Sequence, residues 1–168
     1  MFHFINGYTA KIAGTEIGIN EPVATFSACY GEAFIVWHPL KYARMLMDKV
    51  RQHECNCWLV NTGWVGGKYG EGQRCDISLS KLIVECIQSG ELNNSTFTDF
   101  PIFDLQIPTR IRNYGPEILD PRCAWANATQ YQHELVRLAN LFVVNAHKHN
   151  LHRDNQFVGI LTALSGPA

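Results

Sequence analysis

Five glycines fall within ten residues in the stretch Gly63-Trp64-Val65-Gly66-Gly67-Lys68-Tyr69-Gly70-Glu71-Gly72. Ordering that much glycine in a helix or strand costs too much backbone entropy, so the stretch reads as a loop. It follows a short apolar run, Cys57-Trp58-Leu59-Val60, which reads as a buried strand. An amphipathic segment comes next, a helix over about residues 78–89. Leu79, Leu82, Ile83, Cys86 and Ile87 share one of its faces, and Gly90 stands at the left-handed cap. Loops between a strand and a helix often cradle phosphates. This one lacks the Gly-Lys-Ser/Thr ending of a P-loop and does not fit the dinucleotide fingerprint. Spacing therefore leaves two readings open, a nucleotide loop or a flexible connection. Arg74 closes the loop and Ser80 follows near the start of the next helix. A planar, permanently charged guanidinium there can hold an anion or stack on a base; a solvated surface arginine is the plainer alternative.

The rest of the chain reads as mixed α and β, with at least three helices. Residues 2–5 and 23–36 read as strands on either side of a polar loop. Pro39 to about His53 is a helix, with Pro39 in its first position and Leu40, Ala43, Leu46, Met47 and Val50 on one face. His38 reads as a cap or packing residue. Residues 95–107 read as extended and 107–122 as a Pro- and Gly-punctuated loop. A last long helix covers roughly 129–148, opened by a Thr129/Gln132 capping box, with Leu135, Leu138, Phe142 and Ala146 as its buried stripe.

The 168 residues suit one domain or a large piece of one. Fourteen Lys and Arg against fifteen Asp and Glu give a net charge of -1. That balance offers no basic stripe for nucleic acid. No run of about 18 apolar residues is long enough to span a membrane, and the start at Met1 has no signal-peptide pattern. The chain is thus expected to be cytoplasmic and its six cysteines free thiols, with Cys55 and Cys57 on one face of a core strand. His147, His149 and His152 lie near the C-terminus, where a positive imidazole suits a helix end; no metal site is expected in the chain.

Longer collinear blocks carry a resemblance. They are Phe2 through Glu16, Glu21-Pro22, Thr25 through Gly31, His38-Pro39, Trp58 through Trp64, Gly72-Gln73-Arg74, Ile107-Pro108-Thr109 and Glu117 through Arg122. In this order, over about residues 2–148, they resemble ATP-dependent phosphoenolpyruvate carboxykinases. The resemblance implies that residues 1–149 are the C-terminal part of that family's mononucleotide-binding domain, with a mixed sheet. Residues 150–168 form a tail with no assigned counterpart.

It also implies the reaction of oxaloacetate and ATP to phosphoenolpyruvate, carbon dioxide and ADP, the entry step of gluconeogenesis. Two divalent metals, Mg and Mn, are expected in the whole enzyme. By resemblance, Arg74, Cys75 (mainly through its backbone) and Ser80 approach the nucleotide. The Ala13–Pro22 segment, with Gly14, Thr15 and Glu16, resembles the lid that closes over the substrates. Departures from the family pattern fall at Ile17, Gln73, Ser80, Cys123 and Ala124, of which Ser80 keeps its hydroxyl. Ile17 stands where the family has Arg, Gln73 where Lys is common, Ser80 where Thr is usual, and Cys123-Ala124 replace Asn-Thr. The P-loop, the acidic metal motif and the Lys and His metal ligands are expected upstream of Met1. The chain alone is therefore expected to be inactive and, lacking its partner half, to self-associate through exposed apolar edges. The alternatives are a truncated, non-catalytic relative that binds nucleotide or a protein partner, and a free-standing nucleotide-binding domain.

Overall fold

The computed structural model describes residues 1–11 and 23–166. They group into two units, Met1–Cys57 with Leu141–Leu161, and Trp58–Asn140 with Thr162–Ala168.

The chain opens with a helix, α1 (Phe2–Asn6), where a strand was expected. Helical spacing buries Phe2 and Ile5 together, whereas a strand would have turned them to opposite faces. Gly7 ends the helix at φ +56°; a Cβ there would lie 1.7 Å from the Ser27 carbonyl oxygen, so only glycine fits. Strands β1 (Tyr8–Lys11) and β2 (Val23–Phe26) then pair antiparallel, Tyr8 opposite Phe26 and Lys11 opposite Val23. Extension does not continue to residue 36. Two 3-10 turns, Ala28–Tyr30 and Glu32–Phe34, replace it. The Ser27 hydroxyl accepts from the Glu32 N–H at 3.1 Å, a local bond that competes with a ladder.

Helix α2 (Pro39–His53) forms as expected, and His38 caps it by accepting the Leu40 N–H on Nδ1. Two-residue strands β3 (Trp64–Val65) and β4 (Gln73–Arg74) precede α3 (Ile77–Gln88), which Gly90 follows at φ +77°. Strands β5 (Phe97–Phe100) and β6 (Leu105–Pro108) form a hairpin inside the segment expected to be extended. The short helices α4 (Pro116–Leu119) and α5 (Pro121–Ala124) occupy the expected loop, each with proline at its start. Helix α6 (Ala128–Lys148) is capped by Asn127, whose Oδ1 accepts the Gln130 N–H, and not by the Thr129/Gln132 box. Asparagine is the better cap residue, and it moves the start one residue earlier. Ala139, Phe142 and Ala146 are buried on α6, while Leu135 and Leu138 are half-buried. The final residues form two 3-10 turns and α7 (Val158–Ser165), with Leu151 and Phe157 buried.

The class is mixed α and β, as the sequence suggests. The mixed sheet is not found: the described strands form three separate two-stranded antiparallel ladders. Cys57–Val60 is not a strand. Leu59 and Val60 are exposed, as are Cys55 and Cys57, because no described strand lies beside the run to bury it.

In the first unit Phe2 stacks on Phe142 with ring centres 6.1 Å apart, Phe157 packs on the same ring, and the buried Asn145 donates to Asn6 Oδ1 at 2.9 Å. In the second, Cys86, Leu92 and Ile111 form a core against Trp58, Leu82, Ile83, Ile87 and Leu119. No helix among the described residues is long and apolar enough to cross a membrane.

Candidate functional site

The glycine-rich loop is closed by contacts of its own backbone. Strands β3 and β4 hold its two ends, and the Cys75 N–H donates to the Gly63 carbonyl at 2.8 Å. Between them the backbone closes on itself. A Cβ on Gly67 would come within 2.7 Å of the Gly72 nitrogen, and one on Gly72 within 2.5 Å of the Gly67 oxygen. Gly66, at φ +74°, lies so close to the Ala124 carbonyl that a Cβ would stand 2.9 Å from it. Two side-chain contacts add to the closure, a Lys68–Glu71 ion pair at 3.3 Å and a hydrogen bond from Gln130 Nε2 to Glu71. Close backbone approach accounts for Gly66, Gly67 and Gly72, and a φ of +84° for Gly70.

Beyond the loop, Asp76 caps α3. Its Oδ1 accepts both the N–H and the hydroxyl of Ser78 at 2.7 Å, which hold its carboxyl below the usual range. That negative group already occupies the positive end of the helix, so α3 does not offer its N-terminus to a phosphate. Cys75 and Ser80 come together one turn apart. The Ser80 hydroxyl donates to the Asp76 carbonyl at 3.0 Å and lies 3.6 Å from Cys75 Sγ; both residues are half-buried. Arg74 is exposed, and its guanidinium has no ion pair or hydrogen bond among the described residues. Directly across the ladder from it stands Trp64, which is 37% exposed and meets the Tyr69 ring edge-on at 5.2 Å. Periodicity does not single out this aromatic pair. Its signal was present in the alternation of Trp64 and Tyr69 with glycines.

A second charged group in the same unit is Asp120, which is buried and paired with the exposed Arg122. The guanidinium donates to both carboxylate oxygens at 2.7–3.0 Å, and the Arg122 N–H donates to Oδ1. Arg122 thereby holds the Asp120 carboxyl well below its ordinary range. The lid residues Gly14, Thr15, Glu16 and Ile17 lie outside the described residues; Lys11 and Val23, paired in the first ladder, flank that stretch in the sequence. Among the described residues no three His, Cys, Asp or Glu side chains stand close enough to hold a metal, so these residues by themselves do not fit a divalent ion. His147 and His152 stack, with ring centres 4.4 Å apart. His149, which lies between them in the sequence, is buried, and desolvation pushes its imidazole pKa down.

Comparison with known proteins gives the class. Residues 1–117 match the family model described as phosphoenolpyruvate carboxykinase. The chain is 47% identical over 148 residues to the phosphoenolpyruvate carboxykinase (ATP) of Dictyostelium discoideum, covering 88% of this chain and 26% of that protein. With the Zea mays protein of the same name it is 50% identical over 145 residues, 86% of this chain and 22% of that one. With that of Allorhizobium ampelinum it is 41% identical over 165 residues, 98% of this chain and 31% of that one, so this match extends past residue 149. The chain belongs to the ATP-dependent phosphoenolpyruvate carboxykinase family. It spans about a quarter of the length of these relatives.

Proposed function

We propose that this chain is part of a cytoplasmic ATP-dependent phosphoenolpyruvate carboxykinase and supplies the lid and the adenine side of its site. The whole enzyme would convert oxaloacetate and ATP to phosphoenolpyruvate, carbon dioxide and ADP in gluconeogenesis. The observation that carries the reading is Arg74. It is an exposed guanidinium without a described partner, held on a closed hairpin next to the Cys75/Ser80 pair, in a chain of this family. A planar cation there binds the base or ribose end of a nucleotide, with Cys75 contributing backbone and Ser80 its hydroxyl. The capped N-terminus of α3 turns the triphosphate away from this hairpin.

Residues Gly14-Thr15-Glu16 act as the lid. Closure over the substrates would keep water from the reacting enolate, with one charge fewer because Ile17 replaces arginine. Divalent metal stabilises the transferred phosphoryl group in such an enzyme, and its ligands belong to the part of the protein outside this chain. Apolar surface that the rest of the enzyme would cover includes Phe34, 90% exposed, and Val36, 83% exposed; in the isolated chain it favours self-association.

Calorimetric titration of the chain with ATP tests the adenine-side role. Binding that Arg74→Ala weakens at least tenfold is expected, since hydrogen bonds to a charged group contribute about 1.5–3 kcal/mol. Equal binding by wild type and Arg74→Ala would overturn it.

A further inference from the structure

We infer that Trp64 is a stacking platform for the purine ring of the nucleotide and, with Arg74, makes this hairpin select a base over a bare polyphosphate. This rests on the adenine-side reading of Arg74 above. Trp64 and Arg74 are directly opposed residues of the β3–β4 ladder, so their side chains leave the same face. Opposed Cβ atoms stand about 5 Å apart, so an indole and a guanidinium start from neighbouring points on one face, within reach of the same planar ligand. Trp64 is 37% exposed although an indole is a costly group to leave in water. Tyr69 meets it nearly perpendicularly, at 84°, and a single perpendicular neighbour covers at most one face of the ring.

The loop beside Trp64 is also braced without a ligand. The Gly67/Gly72 backbone contact and the Glu71–Gln130 hydrogen bond fix the loop that carries Tyr69, so little ordering is left to offset stacking. Asp76, two residues from Arg74, places a carboxylate where a phosphate would otherwise approach α3. An uncharged aromatic ring meets no such repulsion.

The test is calorimetric titration of the full chain with ATP and, separately, with inorganic tripolyphosphate. It compares wild type, Arg74→Ala, Trp64→Ala, Trp64→Phe and Trp64→Leu, each checked by circular dichroism. Leucine keeps apolar bulk at the position without a π face. Trp64→Ala and Trp64→Leu are expected to weaken ATP binding about tenfold, the scale of one base–aromatic stack, with Trp64→Phe within about threefold of wild type. Tripolyphosphate should respond identically in wild type and in the Trp64 variants. ATP binding by Trp64→Leu equal to that of Trp64→Phe, or an equal loss of tripolyphosphate binding, overturns the platform. If Arg74→Ala loses ATP while Trp64→Leu keeps it, the platform alone falls. If wild type does not bind ATP, or Arg74→Ala binds as well as wild type, the adenine-side reading falls and the platform with it.

Discussion

Asp120 shows how one buried carboxylate is made tolerable. Arg122 neutralises it from one side while its own backbone N–H donates to the same Oδ1, so both oxygens are satisfied. Because the folded carboxyl titrates below its ordinary value near 4, the pair's contribution is complete above about pH 4 and is lost as pH falls through the lowered folded value. Asp120→Asn should destabilise the chain by about 1–2 kcal/mol at neutral pH, discounted because Arg122 is partly in water. Below pH 4 the variant should lose less further stability than wild type; thermal melts at stepped pH check both. Neither partner announced itself in the sequence, where Asp-Pro-Arg reads only as a block of resemblance. His38 was legible, because a polar residue before a proline and an apolar-periodic run is a capping signal. Cys55 and Cys57 misled. Alternation puts two side chains on one face, but it does not say whether any strand lies beside them.

Long elements were legible and short ones were not. The helices 39–53, 77–88 and 128–148 each run three turns or more, enough for apolar spacing to repeat. Helix α1 has five residues, and Phe2, Phe4 and Ile5 fit a strand or a helix turn equally well until Phe142 and Phe157 supply the surface they pack on. The glycine-rich loop reads as a loop from its composition, but the backbone contacts that close it are not visible in glycine content alone. Two glycines separate these meanings. Gly72→Ala must push backbone apart and should cost about 1–3 kcal/mol. Gly159→Ala, inside α7 with no neighbour within 4 Å, should add about 0.5–1 kcal/mol. Chemical denaturation of both variants measures the contrast.

For the whole molecule, family membership was legible from ordered sequence blocks, while the division into two units was not, because its first unit joins residues 1–57 to 141–161 across the sequence. A chain spanning about a quarter of its relatives should form no phosphoenolpyruvate from oxaloacetate, ATP and Mg or Mn ions, as a coupled assay would record. Light scattering should find it associating with rising concentration, and Phe34→Asp should reduce that association. The discontinuous unit carries a different consequence for cleavage. Residues 55–62 are mostly exposed and without regular secondary structure, the kind of stretch proteases nick first. A cut there severs the chain but not the Phe2–Phe142 stack, the Asn6–Asn145 hydrogen bond or the Lys148–Glu32 ion pair. Two bands on a denaturing gel should therefore travel as one particle through a sizing column, a split protein reassembled by its own core.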